Sequence, residues 1–300
     1  MTDIEWILFS KDRTLQAKSC ILSLTALSDV VAEDITVLYI DSENISYEPL
    51  KKEFPCRFVK QTNFYENIME ILRSISKPFV AFLVDDLIFR DHFTAAEISA
   101  LMRLYPELDS FSLRLGRNIK DGHPPKFEAI GNGVLSWKTT PGMGKSWNYF
   151  WELTGAIYRR EMALDYMKQC PADKMTFPNP MEFLYYDIVP NILASSRGAF
   201  SILKHPKYLL WKLFRQSAMS KRIACYEKSR VFTQGVNLVA SRDINYEAYI
   251  TPKKMHELFL KGYRIDFECL KDVQNVKPNA GRQYFRLVGT GGEIHPLSVF

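Results

Sequence analysis

Short apolar runs alternate along this chain with segments whose apolar residues recur every three or four positions, and the alternation begins at once. EWILFS, Glu5 to Ser10, reads as a buried strand. After the polar turn KDR, Thr14 is placed to cap a helix that directs Leu15, Ile21, Leu22 and Leu24 toward a sheet. ITVLYI, Ile35 to Ile40, gives a second strand closing on Asp41, Ser42 and Glu43, and Cys56 to Val59 gives a short third. From Asn63, NFYENIMEILRSI sets Phe64, Ile68, Ile71, Leu72 and Ile75 on one helical face. Pro78 and Phe79 then lead into VAFLV and two adjacent carboxylates, Asp85 and Asp86.

Strand, helix, strand, short strand, helix, strand in this order predicts right-handed βαβ units and an α/β fold with a Rossmann-type, mainly parallel sheet flanked by helices. Ligands of such sheets bind outside the carboxyl ends of the strands. Ser10 to Arg13, Asp41 to Glu43 and Asp85 to Asp86 all fall there, so three polar clusters are expected on one sheet edge. Further along, TAAE from Thr94 forms a capping box for a helix running toward Tyr105, and SFSLRL from Ser110 is another strand. Residues 116–146, rich in Gly, Pro and Lys, read as a long functional loop. The aromatic cluster WNYFWELTGAIY follows, then a helix from Arg160 to Gln169 and a helix start at Asn179, Pro180 and Glu182. Thr251 and Pro252 open a last helix that Gly262 ends, and the remainder, with GTGG from Gly289, reads as loop or tail.

Charge and composition then narrow the class. The 47% hydrophobic and 24% charged residues of this 300-residue chain suit a folded, enzyme-sized body. The opening MTDIEWILFSKDR has acids before a very short apolar run, the wrong order for a secretory signal, and no window reaches the length of a membrane span. Five single cysteines, Cys20, Cys56, Cys170, Cys225 and Cys269, form no CxxC pair. A cytoplasmic protein is expected. A net charge of +5 is too mild to imply nucleic-acid binding. Yet Ile188 to Tyr226 contains no Asp or Glu while carrying Arg197, Lys204, Lys207, Lys212, Arg215, Lys221 and Arg222. Residues 204–222, which include YLLWKLF, are therefore a candidate for peripheral contact with anionic lipid at the inner face of the membrane.

Two carboxylates closing a buried strand suit a divalent cation, since Mg²⁺ or Mn²⁺ is commonly held by one or two carboxylates plus substrate phosphates. In this company the first 190 or so residues resemble nucleotide-sugar-dependent glycosyltransferases of the GT-A fold, of the family 2 kind. ILFSKDRTLQAKSCILSL is similar to the opening strand, turn and helix of those enzymes, where the turn lies beside the nucleotide. LYIDS resembles their second strand, FLVDDLIF stands where they carry the DxD motif, and FSLRLG and W..YFWELTGAIYRREM resemble the later core and acceptor-side elements. PNPMEF resembles the helix start bearing the acidic residue proposed as base in inverting members. The match departs from Asp-any-Asp at Val84, which leaves Asp86 as the equivalent of the metal-binding second Asp and Asp85 as the central residue, facing the ribose or a second metal ligand.

The resemblance implies a glycosyltransferase that moves a sugar from a nucleotide-diphosphate sugar to a hydroxyl of a glycan or lipid-linked glycan, assisted by Mn²⁺ or Mg²⁺ and inverting. Ser10, Lys11, Arg13, Asp41 and Asp85 would line the nucleotide-sugar site, Asp86 would bind metal, and His295 would serve as a C-terminal metal ligand. Trp147 and Trp151 are candidates to stack on an acceptor sugar, with core packing as the alternative. Glu182 is the candidate base, with Glu152 and Asp187 as alternatives, and its place in a helix start also accounts for an acid there. The catalytic domain is expected over 1–195, with a nucleotide-sugar half to about 115 and an acceptor half after it, and a mostly helical extension over 196–300. A sugar-phosphate nucleotidyltransferase fits less well because SKDRTLQ has no glycine, and a non-catalytic nucleotide- or carbohydrate-binding protein is the third reading. GMGKS, ending at Ser146, mimics a P-loop, but Thr139 stands where its first glycine belongs.

Overall fold

The first four predicted strands become adjacent parallel strands. The computed structural model describes residues 2–140, 143, 145–182, 221–235, 250–274, 277–278 and 284–296. In it β1 (Ile4–Lys11) lies between β2 (Ile35–Ile40) and β4 (Phe79–Val84), with β3 (Arg57–Lys60) beyond β2, all parallel. Alternate side chains of these strands feed two separate cores. Trp6, Leu8, Ala81 and Leu83 share one core with α1 (Thr14–Ala26) and with Leu50 of the short α2 (Glu48–Glu53), while Ile7, Phe9, Val80 and Phe82 pack with α3 (Phe64–Ser74) and α5 (Arg160–Gln169).

Among the described residues the sheet has nine strands in the order β3-β2-β1-β4-β9-β6-β10-β8-β7. Its second half is built from β6 (Ser110–Ser112), β7 (Glu128–Gly131), β8 (Val134–Lys138), β9 (Ala156–Arg159) and β10 (Arg222–Tyr226). Only β9 and β8 run against the other strands of this sheet, so the α/β, mainly parallel architecture with flanking helices is as expected.

Several local expectations change. Thr14 does not cap α1: Arg13 is the cap residue, without a side-chain cap bond, and the Thr14 hydroxyl faces His256. Thr94 precedes α4 (Ala95–Leu104) but also makes no cap bond, because the Asp29 carboxylate accepts from the amides of Ala95 and Ala96 instead. SFSLRL is strand only to Ser112, since the chain then turns at Gly116, where a side chain would come 2.5 Å from the Ser229 backbone nitrogen. The 116–146 stretch is not all loop: β7 and β8 form a hairpin through Gly133 at φ +69, with Leu135 and Trp137 buried.

The sequence after 196 does more than pack on the sheet. Strand β10 lies inside it, parallel to β6 and antiparallel to β8. Next, β11 (Val231–Thr233) pairs with β5 (Leu87–Phe89), immediately after the two aspartates. Helix α6 (Pro252–Leu260) packs on α1, and β12 (Arg264–Ile265), β13 (Arg286–Val288) and β14 (Ile294–Pro296) form a small antiparallel sheet beside it. Among the described residues this extension therefore supplies more strands than helices, and the expected tail is ordered as β13 and β14. No described helix is long and apolar enough to cross a membrane. Residues 204–220 and Asp187 lie outside the described residues, whereas Lys221 and Arg222 pair internally with Asp109 and Glu128.

Candidate active site

At the carboxyl ends of β1, β2 and β4 the three polar clusters meet. Asp85 is buried at 4% exposure and accepts from Ser10 Oγ (3.0 Å), the Lys11 amide (3.3 Å) and Arg13 Nη1 (2.9 Å). The Tyr47 hydroxyl lies 2.6 Å from Ser10 Oγ and accepts from the Arg13 amide at 3.2 Å. Burial and the Asp85 charge raise the Tyr47 phenol well above its ordinary range, so it stays protonated and free to donate to Ser10. Asp12 adopts φ 55 and places its carboxylate on the Ser42 amide and hydroxyl, both at 2.6 Å, which ties the β1 turn to the end of β2. Asp41 pairs with the exposed Lys60 ammonium at 2.7 Å, and the Lys11 side chain faces solvent.

Asp86 is held differently from its neighbour. Arg13 Nη1 is 3.7 Å away, and 17% of the Asp86 side chain is exposed. Burial pushes its pKa up to about 6, against the pull of Arg13 and with a further push from Asp85. Burial lowers the Arg13 pKa, but the two aspartates outweigh it and the guanidinium remains charged. The Gln234 amide donates to the Asp86 carbonyl at 2.7 Å, and the side-chain amide of Gln234, only 3% exposed, has no partner among the described residues.

A hard cation fits at Asp86, though not at a preformed cage. Among the described residues no group of three or more His, Cys, Asp or Glu side chains gathers as a metal site. A cation would have one under-compensated carboxylate, Asp86, and would take its other oxygens from phosphate and water, as Mg²⁺ often does. Asp85 is already committed to three donors. His295 stands on β14 opposite Leu287, its ring 6.0 Å from that of Tyr263, so it belongs to the small sheet instead of joining the aspartates.

The acceptor-side candidates reach the same edge. Because β9 runs antiparallel to β4, with Ala156 opposite Phe82, the residues before Ala156 run toward the carboxyl end of β4, and the Gly155 amide bonds to the Phe82 carbonyl. Glu152 is 1% exposed and ion-paired with Arg114, and it also accepts from Ser112 Oγ at 2.7 Å and Thr154 Oγ1 at 3.2 Å. Both of its carboxylate oxygens are thus held by neighbouring donors. Glu182 accepts from the Leu153 amide at 2.7 Å, and burial raises its pKa to about 6, with Glu152 adding to the shift. The Tyr149 phenol sits against Glu182, pushed up by burial and by both glutamates. Helix begins at Asn179 itself, one residue earlier than a cap at that position implies.

Trp147 and Trp151 correct an expectation. Both are fully buried: Trp151 packs on Tyr158 (4.4 Å between centroids) and Phe82 (5.7 Å), and Trp147 meets Trp137 (5.6 Å) edge-on. Neither offers a face to a sugar. Sequence reasoning included Asp12 only as part of the Ser10 to Arg13 cluster and missed Tyr47, Arg114 and Gln234. Arg114 lay next to a quoted strand end and was findable, whereas Tyr47 and Gln234 reach the site through tertiary packing and gave no local signal. Two surface hollows of about 630 and 690 Å³ lie elsewhere, the first lined by His123, Lys126 and Lys138, the second by Asp29, His92 and Arg230.

Comparison with known proteins places this geometry in context. No family profile matches the chain. In an alignment of 182 residues that covers 52% of its length, the chain is 26% identical to the bifunctional glycosyltransferase pgtA of Dictyostelium discoideum, of which the match covers only 24%. Among solved structures it overlaps TarS of S. aureus at 12% identity and TM-score 0.44, covering 79% of this chain and 37% of that one. The mannosyltransferase PcManGT of Pyrobaculum calidifontis, in complex with GDP-Man and Mn²⁺, overlaps at 12% identity and TM-score 0.33, covering 59% and 50%. A UDP-glucose pyrophosphorylase complexed with UDP-glucose overlaps at 11% identity and TM-score 0.35, covering 76% and 92%. Over half its length, then, this chain is similar in sequence to a glycosyltransferase, the class that its strand-end motifs resemble.

Proposed function

We propose that the chain is a glycosyltransferase that transfers a sugar from a nucleotide-diphosphate sugar to a hydroxyl group of a glycan or lipid-linked glycan. The observation that carries this reading is the Arg13–Asp85–Asp86 cluster at the carboxyl ends of β1 and β4, where one carboxylate is neutralised and the other left under-compensated. The sequence likeness to pgtA supports the same class.

In this reading Ser10, Arg13 and Asp85 form the rigid floor of the donor site, and Lys11 and Asp41 stand at its rim. Asp86 would hold Mn²⁺ or Mg²⁺, which when bound supplies positive charge to the departing diphosphate. Glu182 is the base: the acceptor oxygen attacks the anomeric carbon, its proton passes to the Glu182 carboxylate, and the bond to the diphosphate oxygen breaks with its electron pair. Attack opposite the leaving group inverts the anomeric centre. Two features of Glu182 suit it to that task, a pKa near 6 and a carboxylate held by the Leu153 amide.

The test is a thermal-shift screen of nucleoside diphosphates and their sugars with and without Mn²⁺, followed by product analysis. A bound donor raises apparent stability by mass action. A Mn²⁺-dependent shift with one nucleotide and release of that nucleotide on adding acceptor is expected. Absence of a shift with every nucleotide defeats the reading.

A further inference from the structure

We propose that His256, on α6 of the C-terminal extension, is a positioning residue for the nucleotide end of the site, acting through Thr14 and Ser46. The inference rests on the glycosyltransferase reading and adds a residue far along the chain to its donor site.

The His256 ring is 6% exposed and has polar contacts on both sides. Nδ1 lies 2.8 Å from Thr14 Oγ1, and Nε2 accepts from the Ser46 amide at 3.4 Å. Both contacts are satisfied at once by a neutral ring protonated on Nδ1, which donates to Thr14 and keeps its Nε2 lone pair for Ser46. Burial favours that neutral form.

Its two partners adjoin the site. Thr14 follows Arg13, whose guanidinium reaches both aspartates, and Ser46 precedes Tyr47, whose hydroxyl touches Ser10 and the Arg13 amide. Arg13 opens α1 without a side-chain cap, so the local helix signal does not fix it. The loop after β2 is tied back by Asp12 at Ser42, and its next polar anchor is His256 at Ser46. One imidazole therefore joins the two segments that carry Arg13 and Tyr47. Its distance from Asp86 along the chain hides this role from any local reading.

The experiment uses the full chain and titrates UDP, GDP, CDP and ADP in the presence of Mn²⁺ by calorimetry. His256→Ala is expected to weaken binding of whichever diphosphate the wild type binds by about tenfold, the size of one or two lost hydrogen bonds. Thr14→Val should give a similar loss and add little to it in the double variant. His256→Asn, whose amide reaches the Nδ1 position, should recover part of the affinity. In turnover, the donor KM should rise with kcat changed less than about twofold. Equal affinity in wild type, His256→Ala and Thr14→Val overturns the inference alone. A fall in kcat with unchanged KM and affinity also overturns it. If His256→Ala does not fold, the Thr14→Val and His256→Asn titrations decide by the same criterion. A wild type that binds none of the four diphosphates overturns the glycosyltransferase reading and this inference with it.

Discussion

Arg13 Nη1 stands 2.9 Å from Asp85 Oδ1, and this contact holds the residue that opens the first helix against the turn that closes the fourth strand. Removing the cation leaves the buried Asp85 and the half-buried Asp86 without the counter-charge they share. Arg13→Met is expected to lose about 3 to 5 kcal/mol, as for other broken buried pairs. Urea denaturation should show a lower midpoint at unchanged slope. Adding Asp85→Asn should restore part of the loss.

Asp86 should behave in the opposite sense. Its folded pKa is raised from 3.8 to about 6, so the folded state holds the proton more tightly than the unfolded one. The stability this gives is fully present below pH 3.8 and is lost as pH rises through 6. At pH 7 the ionised group is a cost, and Asp86→Asn should stabilise the fold by roughly 1 to 2 kcal/mol. The same variant should lose Mn²⁺-dependent nucleotide binding. Differential scanning fluorimetry with and without Mn²⁺ and nucleotide reads both effects, and a destabilised Asp86→Asn contradicts the assignment.

Glu182 titrates near the same value with another consequence. A base works only when deprotonated, so turnover should fall about tenfold per unit as pH drops below 6. Glu182→Gln should reduce kcat by about 10² to 10⁴ while nucleotide affinity stays within about twofold. A pH–rate profile of the wild type that is flat down to pH 5 would speak against this base.

The tryptophans give a test of packing against recognition. Trp151→Ala is expected to cost about 3 to 5 kcal/mol. Trp151→Phe, which keeps most of the volume, should fold and show an unchanged acceptor KM. A selective rise in that KM would return Trp151 to the acceptor site.

Helix α4 offers a fifth comparison. Asp29→Ala should destabilise the fold by about 0.5 to 2 kcal/mol, the range for losing a helix cap, while Thr94→Ala should be nearly neutral. Chemical denaturation of the two variants in parallel decides which residue caps.

What was legible divides along the range of the interactions. Strands β1, β2 and β4 were readable because both faces of each are buried, which leaves uninterrupted apolar runs. The amphipathic α3, capped by Asn63 at the Glu66 amide, was readable because its signal is local. The convergence of Ser10, Arg13 and Asp85 followed from strand order alone. The Asp29 cap was hidden because its carboxylate comes from 66 residues away. The β7–β8 hairpin was masked by surrounding Gly and Pro, and the role of β10 by its late position. Trp147 and Trp151 misled because the aromatic character that suits a sugar also suits a core, and sequence alone does not report which face is covered.

Strand β10 has a bearing on how the molecule is assembled. Among the described residues, the hairpin of β7 and β8 meets the rest of the large sheet through this strand. During synthesis, then, β6 and β8 each wait with an unpaired edge while more than eighty residues are added. A chain halted near residue 195 would present both edges to other chains, the circumstance in which strands pair wrongly. Completion of the far half of the sheet is thus a late event, and expression of a shortened chain is expected to yield aggregates in place of a smaller working enzyme.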